Sequence, residues 1–198
     1  MRVEKGHKVN LTDLNGTVAK VKIINLNKKQ LIIDYEILEE NFLTPEEYWS
    51  KTNKLNLFQA TLDKLYMEKL FEVLPHSDFR NIYFFEAEFS QKQNVNLERL
   101  NKILIRSLEQ SQSIYKPEIS FIKKTKLLEL INQHNPTFLN CQIKSGLTKI
   151  ENNAVGSYLI GPEGGWSQKE IELFKQLNLN EADLGQKIYP AWLVSNKL

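Results

Sequence analysis

From Leu55 onward the sequence alternates short apolar runs with helix-length amphipathic stretches, and that alternation restricts the fold more than any other feature of the chain. Strands are expected at residues 57–62, 81–85, 119–122, 137–140, 155–160 and 182–184. Helices are expected at 64–74, 97–111, 125–133 and 168–177, the second of them with Leu97, Leu100, Ile103, Leu104 and Leu108 along one face. Strands joined through helices of this size form a parallel sheet covered by helices, an α/β fold.

The first quarter of the chain has a different pattern. Residues 8–14, 17–24 and 30–38 are rich in β-branched side chains. Leu14-Asn15-Gly16-Thr17 centres a hairpin turn on Asn-Gly, and the polar run at 25–29 separates the second and third strands. A connector follows at 39–54, with Thr44, Pro45, Glu46 and Glu47 as a helix start. The chain therefore divides near position 50 into a small antiparallel β module (1–50) and an α/β domain (51–198).

Composition excludes several classes. With 41% hydrophobic and 25% charged residues among 198, the chain has material for a core and is not a disordered chain. Its 26 basic against 24 acidic residues give a net charge of +2, so an RNA site has to be a local patch. A single cysteine, Cys141, excludes an internal disulfide and suits a cytoplasmic setting; next to an apolar strand it reads as a core residue. No apolar run approaches the ~20 residues that span a bilayer, and the amino terminus lacks the apolar segment of a signal peptide. His7, His76 and His134 have no ligand spacing, so no metal is expected and each reads as a surface residue.

The segment Val155-Gly156-Ser157-Tyr158-Leu159-Ile160-Gly161-Pro162-Glu163-Gly164-Gly165-Trp166-Ser167-Gln168-Lys169-Glu170 carries the functional argument. An apolar strand enters a loop of three glycines and a proline, and Ser167 with Glu170 forms a capping box for the next helix. Loops at the carboxyl ends of parallel strands hold ligands, and glycines bring backbone N–H and C=O groups close to them. The loop is neither a phosphate-binding P-loop nor a dinucleotide fingerprint. A plain turn between strand and helix is the alternative reading of the glycines.

Gly161 to Ser167 with Glu170, together with Leu184-Gly185, resemble the RsmE-like SPOUT-class methyltransferases that methylate uracil N3 of 16S ribosomal RNA. Further echoes are Lys69 with Glu72, Glu88 with Ser90-Gln91, and Glu109-Gln110-Ser111 followed by Pro117. The resemblance implies a PUA-like β-barrel, here shortened at its start, that grips RNA. It also implies a SPOUT-type parallel sheet with a carboxy-terminal trefoil knot, a homodimer, and S-adenosyl-L-methionine as cofactor.

The cofactor-binding residues it implies are Leu159, Gly161, Pro162, Glu163, Gly164, Gly165, Leu184, Gly185 and Ile188. Lys5, Lys8, Lys20, Lys22 and Lys92 are the RNA-binding candidates, with Lys28, Lys29, Lys123, Lys124 and Lys126 as further basic residues able to meet 16S rRNA or the small ribosomal subunit. No catalytic residue is assigned; Glu163 is the one candidate acid or base, although a carboxylate in such a turn more often hydrogen-bonds its own loop. Trp166 and Trp192 are expected to pack against the sheet.

The sequence departs from that family at several arginines. Pro190 stands where the loop after Leu184-Gly185 carries an arginine, Trp192 where it carries a glutamate, and Phe89 and Ser113 replace two more arginines, leaving four in the whole chain. The end at Leu198 is short for the last helix of the family. These departures support a second reading, a non-catalytic RNA-binding or ribosome-assembly relative. An unrelated α/β ligand-binding protein is the third.

Overall fold

The computed structural model describes residues 4–27, 32–51, 54–91, 95–141, 148–149, 156–185 and 188–198. The chain forms two compact units, one of residues 1–51 with 112–116 and one of 52–111 with 117–198.

The first unit is a three-stranded antiparallel sheet of β1 (Lys8–Thr12), β2 (Thr17–Asn27) and β3 (Ile32–Phe42) in that order, followed by α1 (Pro45–Trp49). Ala19, Val21 and Ile23 face one side of β2 and make its small core with Val9 and Leu26. Their neighbours Lys20 and Lys22 alternate onto the exposed side. The β1–β2 turn is held by Asp13, whose Oδ1 accepts the N–H groups of Asn15 (2.7 Å) and Thr17 (3.1 Å), while Gly16 supplies a φ of +105°. A capping box of Thr44 and Glu47 starts α1. The polar run at 25–29 does not end β2 where expected. The strand continues to Asn27, and Asn25 Nδ2 donates across the ladder to Asp34 Oδ2 at 3.3 Å.

A boundary drawn at one point in the sequence could not include residues 112–116. There Gly16 N–H donates to the Ile114 carbonyl, Lys116 N–H to the Leu14 carbonyl, and Tyr115 Oη to the Leu43 carbonyl (2.7 Å).

The second unit runs β4 (Lys54–Ala60), α2 (Lys64–Val73), β5 (Asn81–Phe85), α3 (Leu97–Ser111), β6 (Glu118–Phe121), α4 (Lys124–His134), β7 (Thr137–Leu139), β8 (Thr148–Lys149), β9 (Gly156–Ile160), α5 (Gln168–Gln176), β10 (Glu181–Asp183) and α6 (Ala191–Val194). Its strands form one sheet in the order β6-β5-β4-β9-β7-β10-β8, with parallel pairing. From β4 the chain builds outward through β5 and β6, and the later strands lie on the other side of β4. The β4/β9 boundary is therefore a topological switch point, where a crevice opens beyond the carboxyl ends of the strands.

One face of the sheet is filled by Phe58, Phe85, Phe138, Leu159, Trp166, Ile171 and Phe174 with α4 residues Leu127, Leu130 and Ile131. Burial on both faces explains why β5 and β9 read as continuous apolar runs. At the opposite ends of the strands, Asn56 is buried and satisfied: its Nδ2 donates to Ser157 Oγ at 2.8 Å, and its Oδ1 accepts from Asn81 Nδ2 at 3.0 Å.

Two local expectations are corrected. On α3 the buried set is Leu100, Leu104, Ser107 and Leu108, whereas Leu97, in the first turn, is 57% exposed. Ser107 enters the core face because its hydroxyl donates to the Glu72 carbonyl of α2. Cys141 is exposed, since β7 ends at Leu139 and the chain has already left the sheet. The strand β8 and the helix α6 were not anticipated from the sequence.

Candidate functional site

β9 delivers the chain to Gly161 at the switch point. Beyond it the loop closes on itself, Gly165 N–H donating to the Pro162 carbonyl at 2.9 Å with Gly165 at φ +74°, a conformation that costs glycine little. Trp166 then turns inward. It is 4% exposed, lies edge-on to Phe174 with ring centroids 4.9 Å apart, and donates Nε1–H to the Leu139 carbonyl at the end of β7 (2.7 Å). A Cβ on Gly161 would lie 3.0 Å from that indole, so the absence of a side chain at 161 lets the ring seat beneath the loop.

The capping box at Ser167 and Glu170 forms as expected and extends further than the sequence indicates. Ser167 Oγ accepts from Glu170 N–H (3.2 Å) and donates to Glu88 Oε2 (2.9 Å), while Glu170 accepts Ser167 N–H on Oε2 and Glu88 N–H on Oε1, both at 2.9 Å. The loop after β5 is thereby fixed to the start of α5. Ser90 tightens the same loop, its Oγ accepting Ala87 N–H and donating to the Thr61 carbonyl.

A cavity of about 450 Å3 opens beyond the carboxyl ends of β9, β7 and β10. Gly161, Pro162, Glu163 and Gly165 line it from one loop and Leu184, Gly185 and Ile188 from another. Gly185 has φ +88°, and its N–H donates to Asp183 Oδ1 at 2.8 Å. Of the remaining cofactor candidates, Leu159 is fully buried in the core one residue before the cavity. Gly164 lies in the same loop outside the lining, where an added Cβ would approach Phe89 to 3.2 Å. Ile188 is 78% exposed at the mouth.

Several lining residues were not singled out from the sequence as cofactor contacts: Tyr66, Asn140, Cys141, Asp183 and Tyr189. Their shared signal is position: Asn140, Cys141 and Asp183 lie at or just past a strand end, Tyr66 in the first turn of α2 and Tyr189 just before α6, a grouping that only the strand order reveals. Trp192 also lines the cavity and is half-buried there, on the short helix α6. Lys69 Nζ stands 5.3 Å from the Trp192 ring centroid and 5.3 Å from that of Tyr66.

Glu163 does not bond its own loop. Its Oε1 accepts the backbone N–H of Asp63 at 2.8 Å, bridging the β9 loop to the N-cap of α2 across the switch point.

The basic candidates of the β module, Lys5, Lys8, Lys20 and Lys22, are exposed. Lys8 sits opposite Lys22 in the β1–β2 register, and Lys20 faces Glu39 with Nζ 3.9 Å from Oε1. Lys28, Lys29 and Lys92 lie outside the described residues. His7 and His76 are exposed, and His134 is half-buried near Phe58. Among the described residues no group of three His, Cys, Asp or Glu is placed to hold a metal ion, and no helix is long and apolar enough to cross a membrane.

The RNA methyltransferase domain family matches residues 50–189, most of the second unit and all of the glycine loop. The chain belongs to that family. Ribosomal RNA small subunit methyltransferase E 1 of Borreliella burgdorferi is 29% identical to this chain over 142 residues, 66% of this chain and 59% of that protein. Ribosomal RNA small subunit methyltransferase E of Rickettsia conorii is 32% identical over 115 residues, 53% of this chain and 46% of that protein. The match to these curated relatives thus spans about half of their length. The crystal structure of a small-subunit methyltransferase E from Neisseria gonorrhoeae, bound to S-adenosyl methionine, superposes with a TM-score of 0.79 at 18% identity, covering 98% of this chain and 81% of that one. This chain shares that α/β fold.

Proposed function

We propose that the chain transfers a methyl group from S-adenosylmethionine to N3 of a uracil in 16S ribosomal RNA. The observation that carries this reading is the cavity at the switch point, walled by the Gly161–Gly165 loop and by Leu184, Gly185 and Ile188. Its volume falls in the range of ~300 to 1,000 Å3 typical of small-molecule sites. Its lining fits the cofactor: apolar groups at Ile160, Leu184 and Ile188 suit an adenine, and the backbone near Gly161, Gly165 and Gly185 can read the base edge and amino-acid end. When bound, S-adenosylmethionine supplies an activated methyl on a sulfonium.

The residues around the cavity hold the reactants in line and exclude water. Bound there, S-adenosylmethionine would supply the methyl for uracil N3 and keep the electron pair of the broken carbon–sulfur bond, and the N3 proton would pass to solvent at the open side of the cavity, where Ile188 is exposed. A cation beside the acceptor stabilises the imide anion. Lys69, whose Nζ stands 5.3 Å from the ring centroids of the lining residues Tyr66 and Trp192, is the group we assign to that task in place of the replaced arginines. Glu163, engaged by Asp63, anchors the loop and is not the base.

In the same reading the first unit is a PUA-like RNA-gripping module that uses Lys5, Lys8, Lys20 and Lys22, and Lys92 of the second unit meets the same RNA. The second closes in a carboxy-terminal trefoil knot, the protein works as a cytoplasmic homodimer, and the substrate is 16S rRNA within or on its way into the small subunit. Membership of the methyltransferase family favours this over a non-catalytic relative.

The test is transfer of labelled methyl from S-adenosylmethionine to unmodified small-subunit RNA by the purified chain, with the site mapped by reverse-transcription arrest, since a methyl on N3 blocks base pairing. Label at a uracil that arrests transcription supports the reading. Label at a carbon or a ribose contradicts the N3 assignment, and no label contradicts the activity.

A further inference from the structure

A second cavity, of about 500 Å3, lies at the carboxyl ends of β5 and β6, apart from the one described above. Thr61, Glu86, Gln91, Phe121, Lys123 and Lys124 are among its walls.

Three independent features converge there. Phe121 is 41% exposed although it ends a sheet strand, and its ring stacks on buried Phe84 (5.0 Å, 22°), which stacks on Phe71 (5.5 Å, 19°). The aromatic column leaves an accessible ring surface at the cavity. The N-terminus of α4 is uncapped: the first helical bond runs from Leu127 N–H to the Lys123 carbonyl, and the Lys123 side chain offers no acceptor to the amides of 124–126. Lys123 and Lys124 flank that end, exposed and without a carboxylate partner among the described residues. Finally, Thr61 is 7% exposed with its backbone fully engaged, N–H to the Phe85 carbonyl and C=O from Ser90 Oγ, yet its buried Oγ1 has no hydrogen-bond partner. A buried hydroxyl without a partner in the cavity wall is an unsatisfied group that a ligand displacing its thin cover can satisfy.

The geometry points to a nucleotide site: a phosphate at the α4 N-terminus between Lys123 and Lys124, a base stacked on Phe121, and a base or ribose oxygen on Thr61 Oγ1. Glu86 is the only carboxylate in the lining among the described residues, so the balance at the helix end is cationic. The shared ligand chemistry is a nucleoside monophosphate unit, taken from an RNA strand or free in solution. The RNA source rests on the methyltransferase reading; the site itself does not.

Uridine, uridine 5′-monophosphate and a short oligouridylate are titrated into the full chain, and amide shifts of Thr61 and residues 122–127 are followed by NMR. S-adenosylmethionine binding is measured calorimetrically on the same preparation. The site predicts shifts with the monophosphate, weaker binding of uridine, and loss of about tenfold in affinity or more for Phe121→Ala and for the Lys123→Ala/Lys124→Ala pair. Thr61→Val, nearly isosteric, is expected to weaken binding severalfold while the thermal midpoint is kept or raised. Tighter oligouridylate binding identifies an RNA strand, and equal affinity a free nucleotide. No shifts, or shifts insensitive to the lysine pair, overturn the site. If S-adenosylmethionine still binds in that case, the proposed function stands without it; nucleotide binding without S-adenosylmethionine binding overturns the function and leaves the site.

Discussion

Glu163 Oε1 and the backbone N–H of Asp63 are joined at 2.8 Å, although the two residues are 100 positions apart. The bond crosses the switch point between β4 and β9 and ties the glycine loop to the start of α2. Glu163→Gln keeps an oxygen acceptor and should lose only about 1 kcal/mol or less of cofactor affinity, because a charged acceptor exceeds a neutral one by about that amount. Glu163→Ala should weaken cofactor binding by more. Calorimetry with S-adenosylhomocysteine separates the two. A Glu163→Gln variant that binds normally but transfers no methyl would restore Glu163 as the base.

Trp166 couples the loop to β7 through its Nε1–H and to α5 through Phe174. Trp166→Phe retains most of the ring packing but leaves the Leu139 carbonyl without its donor, at a cost of about 1 to 3 kcal/mol. Trp166→Ala also opens a cavity and should cost about 3 to 5 kcal/mol. Urea unfolding of the two variants measures the difference.

Gly161 and Gly165 should respond differently to a methyl group. At Gly161 the added Cβ meets the Trp166 indole at 3.0 Å, so Gly161→Ala displaces the loop and lowers cofactor affinity. At Gly165 the φ of +74° makes any side chain strained by about 1 to 2 kcal/mol, so Gly165→Val should lose stability together with binding. Thermal unfolding with and without cofactor distinguishes a binding loss from a folding loss.

Acid should loosen the β module through Asp13 and Glu47. The Asn15 N–H holds the Asp13 carboxyl below its usual range, and the Thr44 N–H does the same for Glu47. Both pKa values are lower in the folded chain than in the unfolded one. Their contribution is therefore complete above the usual carboxylate range and is lost as pH falls through the folded values. Asp13→Asn should flatten the acid limb of an unfolding curve followed by a probe in the first unit; a steeper limb would contradict this sign.

Much of the architecture was legible because period and punctuation agree. Asn81–Phe85 and Leu97–Ser111 fall at the residues the pattern indicates, and Ser167 with Glu170 caps α5 as the spacing requires. What the pattern could not convey is long-range. Cys141 is exposed because β7 is only three residues long, Ser107 is buried because it meets a carbonyl of another helix, and Glu163 turns to Asp63 because β4 and β9 are neighbours. The glycine loop could be read as a ligand loop, but Tyr66 and Tyr189 join its cavity through strand order, which no local signal encodes.

The central claim is that the cavity beneath Gly161–Gly165 holds S-adenosylmethionine. A crystal of the full chain soaked with S-adenosylhomocysteine tests it most directly. The account predicts density for the nucleoside between the glycine loop and Leu184 to Ile188, with backbone groups of both loops at the adenine edge. Density elsewhere, or an empty cavity at saturating ligand, would contradict it.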